Sequence, residues 1–227
     1  MEPRQTTDAD PFVLVQRHLD ARRWLEARAL LTPLAEDDDA RAQAVLSRLD
    51  ERGLGAPRDL AASFRWCAGA AARGHREAMR WLGLKHRFGH GTPVDLDKAA
   101  AWFWKGMDQG DLDALCELAD LQRTRGDGMR DAAEAARLYL RGAAAGAVMA
   151  QWALGKMLTK GEGGELDRVE AWLWFQRALE HSQHPIAWER DRVTALEKLM
   201  TDEELQAAKR RLENEGNKLE PVLSPHR

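Results

Sequence analysis

Small and apolar positions recur along the chain with a period of 36 residues. Ala42, Ala78, Ala114 and Ala150 are each followed four residues later by Leu46, Leu82, Leu118 and Leu154, the spacing of one face of a helix. A second stripe follows in each period. Trp66, Trp102, Leu138 and Trp174 share one position, and Ala70, Gly106, Gly142 and Ala178 lie one turn beyond, so that a bulky side chain alternates with a notch. Between the stripes stand the glycine pairs Gly53 and Gly55, Gly89 and Gly91, and Gly161 and Gly163, which end a helix by allowing positive φ. Asp59, Asp95, Asp131 and Asp167 then open the second helix as N-caps, with Glu134 and Glu170 placed as in a capping box. Loss of one such cap, for example Asp59, is expected to cost about 1 kcal/mol. Gly74, Gly110 and Gly146 close the second helix. Each period therefore predicts an antiparallel helix pair, with the Trp66, Trp102 and Trp174 column in the core.

A fixed period of this length means units that cannot bury an apolar face alone and must stack. The expected fold is all-α, an α-solenoid of stacked antiparallel helix pairs forming one cooperative array. Four units span 40–75, 76–111, 112–147 and 148–187. Residues 10–39 fit the same register as a degenerate first unit, with Leu30 one period before Trp66 and with Asp10 and Pro11 as N-cap and first helical residue. Residues 188–216 predict a pair of capping helices, the second opened by a Thr201/Glu204 capping box. Residues 1–9 and 217–227 read as flexible ends, the latter a candidate partner-binding tail.

The order of Ala78, Leu82, Gly83, Gly89, Gly91, Asp95, Ala99, Trp102, Phe103, Lys105 and Gly110 resembles the Sel-one-like repeat, a branch of the tetratricopeptide-like helical repeats. The resemblance covers residues 40 to 187, about two-thirds of the chain, and implies a right-handed solenoid. Two departures stand out. Arg125 and Asp127 replace the glycine pair of the third unit, predicting an altered turn, and the fourth unit brings Ser182, His181, His184 and Pro185 where the ideal repeat ends. The family's frequent Tyr late in the first helix is replaced by Asp50, His86, Gln122 and Leu158, which predicts a more hydrated surface there.

Charged residues make up 31% of the chain and the net charge is only −3, so no basic face points to nucleic acid. No stretch approaches the length of a membrane span and no signal peptide opens the chain, which predicts a cytoplasmic protein. Cys67 and Cys116 occupy different repeat positions and are expected to be buried free thiols. His86 and His90 are four apart, but Gly89 interrupts them and no third ligand is evident, so no metal site is expected. The FGHG and KGEGG segments lack the Gly-Lys-Ser/Thr ending of a phosphate loop and read as turns. No nucleophile elbow or Cys–His pairing appears. The expectation is a non-enzymatic protein without cofactor.

The resemblance implies that first helices line a concave surface. The side chains turned away from the Ala/Leu stripe are Arg80, Leu84 and Arg87, then Asp120 and Arg123, then Trp152, Lys156 and Thr159, a moderately basic wall with an aromatic. The alternative for its arginines is simple solvation. Arg and Trp dominate interface energies, and an acidic or C-terminal carboxylate segment suits the basic side. The resemblance implies a scaffold or adaptor for a protein or peptide partner. A dedicated inhibitor of one toxin or enzyme is the narrower reading, and a small-ligand or hydrolytic role, known among cysteine-rich exported members, is a further alternative. Trp81, Trp152 and Trp188 lie off the core column and predict an exposed apolar patch, with self-association as a third class; the expected state is a monomer or weak homo-oligomer.

Overall fold

The computed structural model describes residues 10–125, 131–182 and 187–219, with side chains to residue 214 in the last helix. The described residues form twelve α-helices and no strand. They group into two compact units that divide between Asp111 and Leu112, a boundary between two repeats. The first contains α1 (Pro11–Asp20), α2 (Trp24–Glu36), α3 (Ala40–Arg52), α4 (Leu60–Ala72), α5 (Arg76–Phe88) and α6 (Leu96–Asp108). The second contains α7 (Leu112–Thr124), α8 (Ala132–Ala144), α9 (Val148–Leu158), α10 (Arg168–His181), α11 (Ala187–Glu197) and α12 (Asp202–Leu219). The chain is thus an all-α protein of tandem helix pairs. Asp127, His184 and Pro185, with the ends 1–9 and 220–227, lie outside the described residues.

The punctuation of the sequence becomes main-chain closure. Carboxylates of Asp59, Asp95, Asp131 and Asp167 accept from the amides of Ala62, Lys98, Glu134 and Glu170 at 2.8–2.9 Å. The same four residues donate their own amides to the carbonyls of Asp50, His86, Gln122 and Leu158, at 3.0, 2.9, 2.8 and 3.1 Å. This clasp ties the end of each first helix to the start of its second and makes the pair antiparallel. Glu134 and Glu170 complete no box, because their carboxylates turn to Arg137 and Arg211 at 2.7 Å. Thr201 and Glu204 do bond reciprocally. Asp10 caps α1 and Pro11 begins it.

Gly91 and Gly163 show what the second glycine of the pair is for. A Cβ on Gly91 would stand 2.0 Å from the Leu60 carbonyl oxygen, and one on Gly163 would stand 2.2 Å from that of Ala132. Each turn therefore packs main chain against main chain on the N-terminus of the preceding unit's second helix, at a φ near +80° that only glycine adopts without strain.

The core column differs from the expectation. Trp66 and Trp102 are half-buried, Leu138 and Trp174 are buried, and the position buried throughout is the next one, held by Cys67, Phe103, Tyr139 and Phe175. Phe103 fits against Gly83 and Phe175 against Gly155, where an added Cβ would stand 2.5 and 2.4 Å from the ring. The small residue of the first helix is the socket for the aromatic of the second.

The hydrated surface expected at the replaced Tyr position is not found at Asp50 or His86, while Gln122 is half-buried. Asp50 is 1% exposed and bonded to Arg28 at 2.6 Å, and His86 is buried edge-on against Phe64. Position 50 ends a helix inside the stack, so its polar group must find a partner on the neighbouring pair. Both cysteines are free, but Cys116 is only half-buried.

Candidate partner-binding groove

In the second unit, the first helices α7 and α9 and the following α11 border a cavity of about 490 Å³. The repeat period places its wall in columns. Cys116, Trp152 and Trp188 stand one period apart, as do Asp120, Lys156 and Arg192, and both sets line the cavity. Residues spaced by four on each helix share a face, so each helix contributes one upper and one lower group.

The floor is aromatic. Trp152 is 6% exposed, packed at 4.9 Å between ring centres on Phe175 and at 5.6 Å on Trp188. Its indole nitrogen is buried without an acceptor among the described residues. Trp188 is half-exposed, and Met149, which lines the same cavity, is 68% exposed. On the wall, the Arg123 guanidinium bonds to Asp120 at 2.9 Å and reaches Glu162 at 3.6 Å. Tyr139 lies buried beneath them, where burial and then the Asp120 charge raise its hydroxyl above the ordinary 10.0, keeping it protonated. Lys160 pairs with Glu162 at 3.5 Å.

The structure brings Asp120, Arg123, Trp152 and Lys156 together on this cavity. Thr159 does not line it; its hydroxyl donates to the Lys156 carbonyl at the end of α9. Arg80, Leu84 and Arg87 lie on α5 in the first unit, Arg80 bonded to Asp111 at 3.3 Å and Arg87 over the Phe88 ring. The expected patch of three tryptophans is corrected: Trp81 is half-buried, Trp152 is buried, and Trp188 alone of the three is exposed. Arg192 escapes a reading that ends the repeats at 187, and Trp188 enters it only through that patch; one more step of the period places both on this wall.

Other candidate chemistry finds different partners. His90 faces Glu51 at 3.5 Å, and His181 bonds with Gln151. Among the described residues no group of three or more His, Cys, Asp or Glu is placed to hold a metal, and no helix is long and apolar enough to cross a membrane.

A model of the Sel1 repeat matches residues 40–75, 76–111, 112–146 and 148–182. Among solved structures, a Sel1 repeat protein from Oxalobacter formigenes superposes with a TM-score of 0.68 at 23% identity, over 75% of this chain and 70% of that one. A protective antigen of uropathogenic Escherichia coli with the SLR fold gives 0.61 at 21% identity, over 81% of this chain and 46% of that one. A putative Sel1 repeat protein from Klebsiella pneumoniae gives 0.52 at 16% identity, over 82% and 91%. These likenesses are of fold. No curated protein matches the chain.

Proposed function

Because the chain belongs to the Sel1 repeat family, whose members are in general protein-interaction scaffolds, we propose that it binds a partner protein through the groove of α7, α9 and α11, without catalysis. The observation that carries the reading is the pairing of Trp188 and Met149, apolar and exposed, with a buried Trp152 floor and a rim of fixed charges. Large apolar side chains left to water beside a concave wall are what interface centres are made of. The charged rim fixes orientation more than affinity.

The test is affinity capture by the tagged protein, with Trp188→Ala and Met149→Ala beside a Leu25→Ala control on the first unit. Trp152 is avoided because truncating a buried ring confounds binding with folding. A partner held by wild type and control, and weakened about tenfold or more by Trp188→Ala, supports the groove. A partner held equally by all four proteins refutes it.

A further inference from the structure

We propose that this groove takes an acidic peptide segment carrying a bulky apolar side chain at its centre, an assignment that rests on reading the groove as a protein-binding surface. The occupant is decided by which charges are already spent. Asp120 and Glu162 are engaged by Arg123, and Glu162 also by Lys160. Glu117 and Glu189 have partners too. Lys156 and Arg192 have no carboxylate partner among the described residues, and both are exposed.

These two cations are not scattered. They occupy one register position on α9 and α11, each one turn beyond a tryptophan of the tilted Trp152–Trp188 pair. Arg192 lies over the Trp188 ring at 5.8 Å, which holds its guanidinium at the rim of the apolar seat. A segment whose large side chain enters between Met149 and Trp188 therefore meets two unneutralised positive charges on the same side. Carboxylates flanking that side chain satisfy both, whereas the cations of a basic segment would stand beside Lys156 and Arg192, with Asp120 and Glu162 already paired to Arg123 and Lys160. A cavity of about 490 Å³ is in the range that encloses a ligand rather than a flat contact.

The experiment measures binding of short fluorescent peptides to the full chain by polarisation. The peptides carry a Leu-Trp core flanked by Glu, by Lys or by Ser, with an Ala-Ala core in Glu flanks as a fourth. The proteins are wild type, Trp188→Ala and the double variant Lys156→Glu/Arg192→Glu, whose exposed positions leave folding intact, checked by thermal melting. The proposal expects the Glu-flanked Leu-Trp peptide to bind wild type about tenfold more tightly than the Lys-flanked one. The double variant inverts that preference, and the Ala-Ala peptide binds neither. Equal binding of all flanks, or a preference for Lys, overturns the acidic assignment while the groove stands so long as Trp188→Ala weakens the peptides. No peptide binding to wild type also overturns it, and protein capture indifferent to Trp188→Ala then removes the groove reading as well. A concentration-dependent mass abolished by the double variant assigns the groove to a second copy of the chain and overturns the proposal.

Discussion

The α5/α6 hairpin holds Phe103 against Gly83, and in the α3/α4 hairpin, one period earlier, the same two positions are Cys67 and Ser47. The missing ring is replaced by a polar network. Ser47 and Ser63 exchange hydroxyl-to-carbonyl hydrogen bonds at 2.8 and 2.7 Å across the two helices. Lys85, 2% exposed, enters from α5 to donate to Ser63 at 2.8 Å and to pair with Glu51 at 3.2 Å. Burial pushes the Cys67 thiol up to about 12, so it stays protonated and packs as an apolar group. Late in the first helices the contrast repeats, with Asp50 bonded to Arg28 and His86 set against an aromatic edge. In the aromatic hairpin the ring and its socket both belong to its own two helices, Phe103 on α6 and Gly83 on α5. The polar one borrows Arg28 from α2 and Lys85 from α5, so its interior couples three consecutive pairs.

The largest effect should come from removing a borrowed group. Arg28→Ala leaves the Asp50 carboxylate buried without its cation and is expected to destabilise by about 3–5 kcal/mol in denaturant unfolding. A loss under about 1 kcal/mol would mean that water replaces Arg28 and that the coupling is not energetic. Gly83→Ala tests the aromatic solution from the other side. Helix propensity alone predicts a gain of about 1 kcal/mol. The clash with Phe103 instead predicts a loss of about 1–3 kcal/mol in the same measurement, and a gain would show that the socket is loose.

The smallest effect is in pH. Burial lowers the His86 pKa below its ordinary 6.5, opposed by the nearby Asp95 charge. The folded state thus favours the neutral ring. That contribution is fully present above pH 6.5 and is lost as pH falls through 6.5 towards the lower folded value. His86→Leu, the residue found at the equivalent Leu158, should flatten the stability profile between pH 7 and 5. An unchanged profile would place the titration elsewhere.

The repeat was legible because its signals are local. An Asp cap, a glycine at positive φ and a small-residue stripe act within a turn or two of chain, and Asp59, Gly89 and Ala78 could be assigned without neighbours. Which of two adjacent large residues faces the core was not. Trp102 and Phe103 differ by about 100° around the helix, and only the socket at Gly83 decides between them. Asp50 was misjudged because its partner, Arg28, lies in a unit whose sequence has drifted from the pattern. Of the residues that line the cavity, Asp120, Arg123, Trp152 and Lys156 lie on the helical face that the sequence pointed to. Arg80, Leu84 and Arg87 obeyed the same rule on α5, in the first unit, and do not line this cavity.

The clasp from each capping Asp amide to the carbonyl nine residues earlier, and the approach of Gly91 and Gly163 to carbonyls of the preceding unit, use main-chain atoms alone. A 36-residue segment thus carries in its backbone the means of closing on itself and of seating on whatever precedes it. Duplication or deletion of a whole segment preserves every one of these joints. Such a chain can lengthen or shorten by cassettes, and its side chains are left to diverge copy by copy, as Phe103 and Cys67 already have.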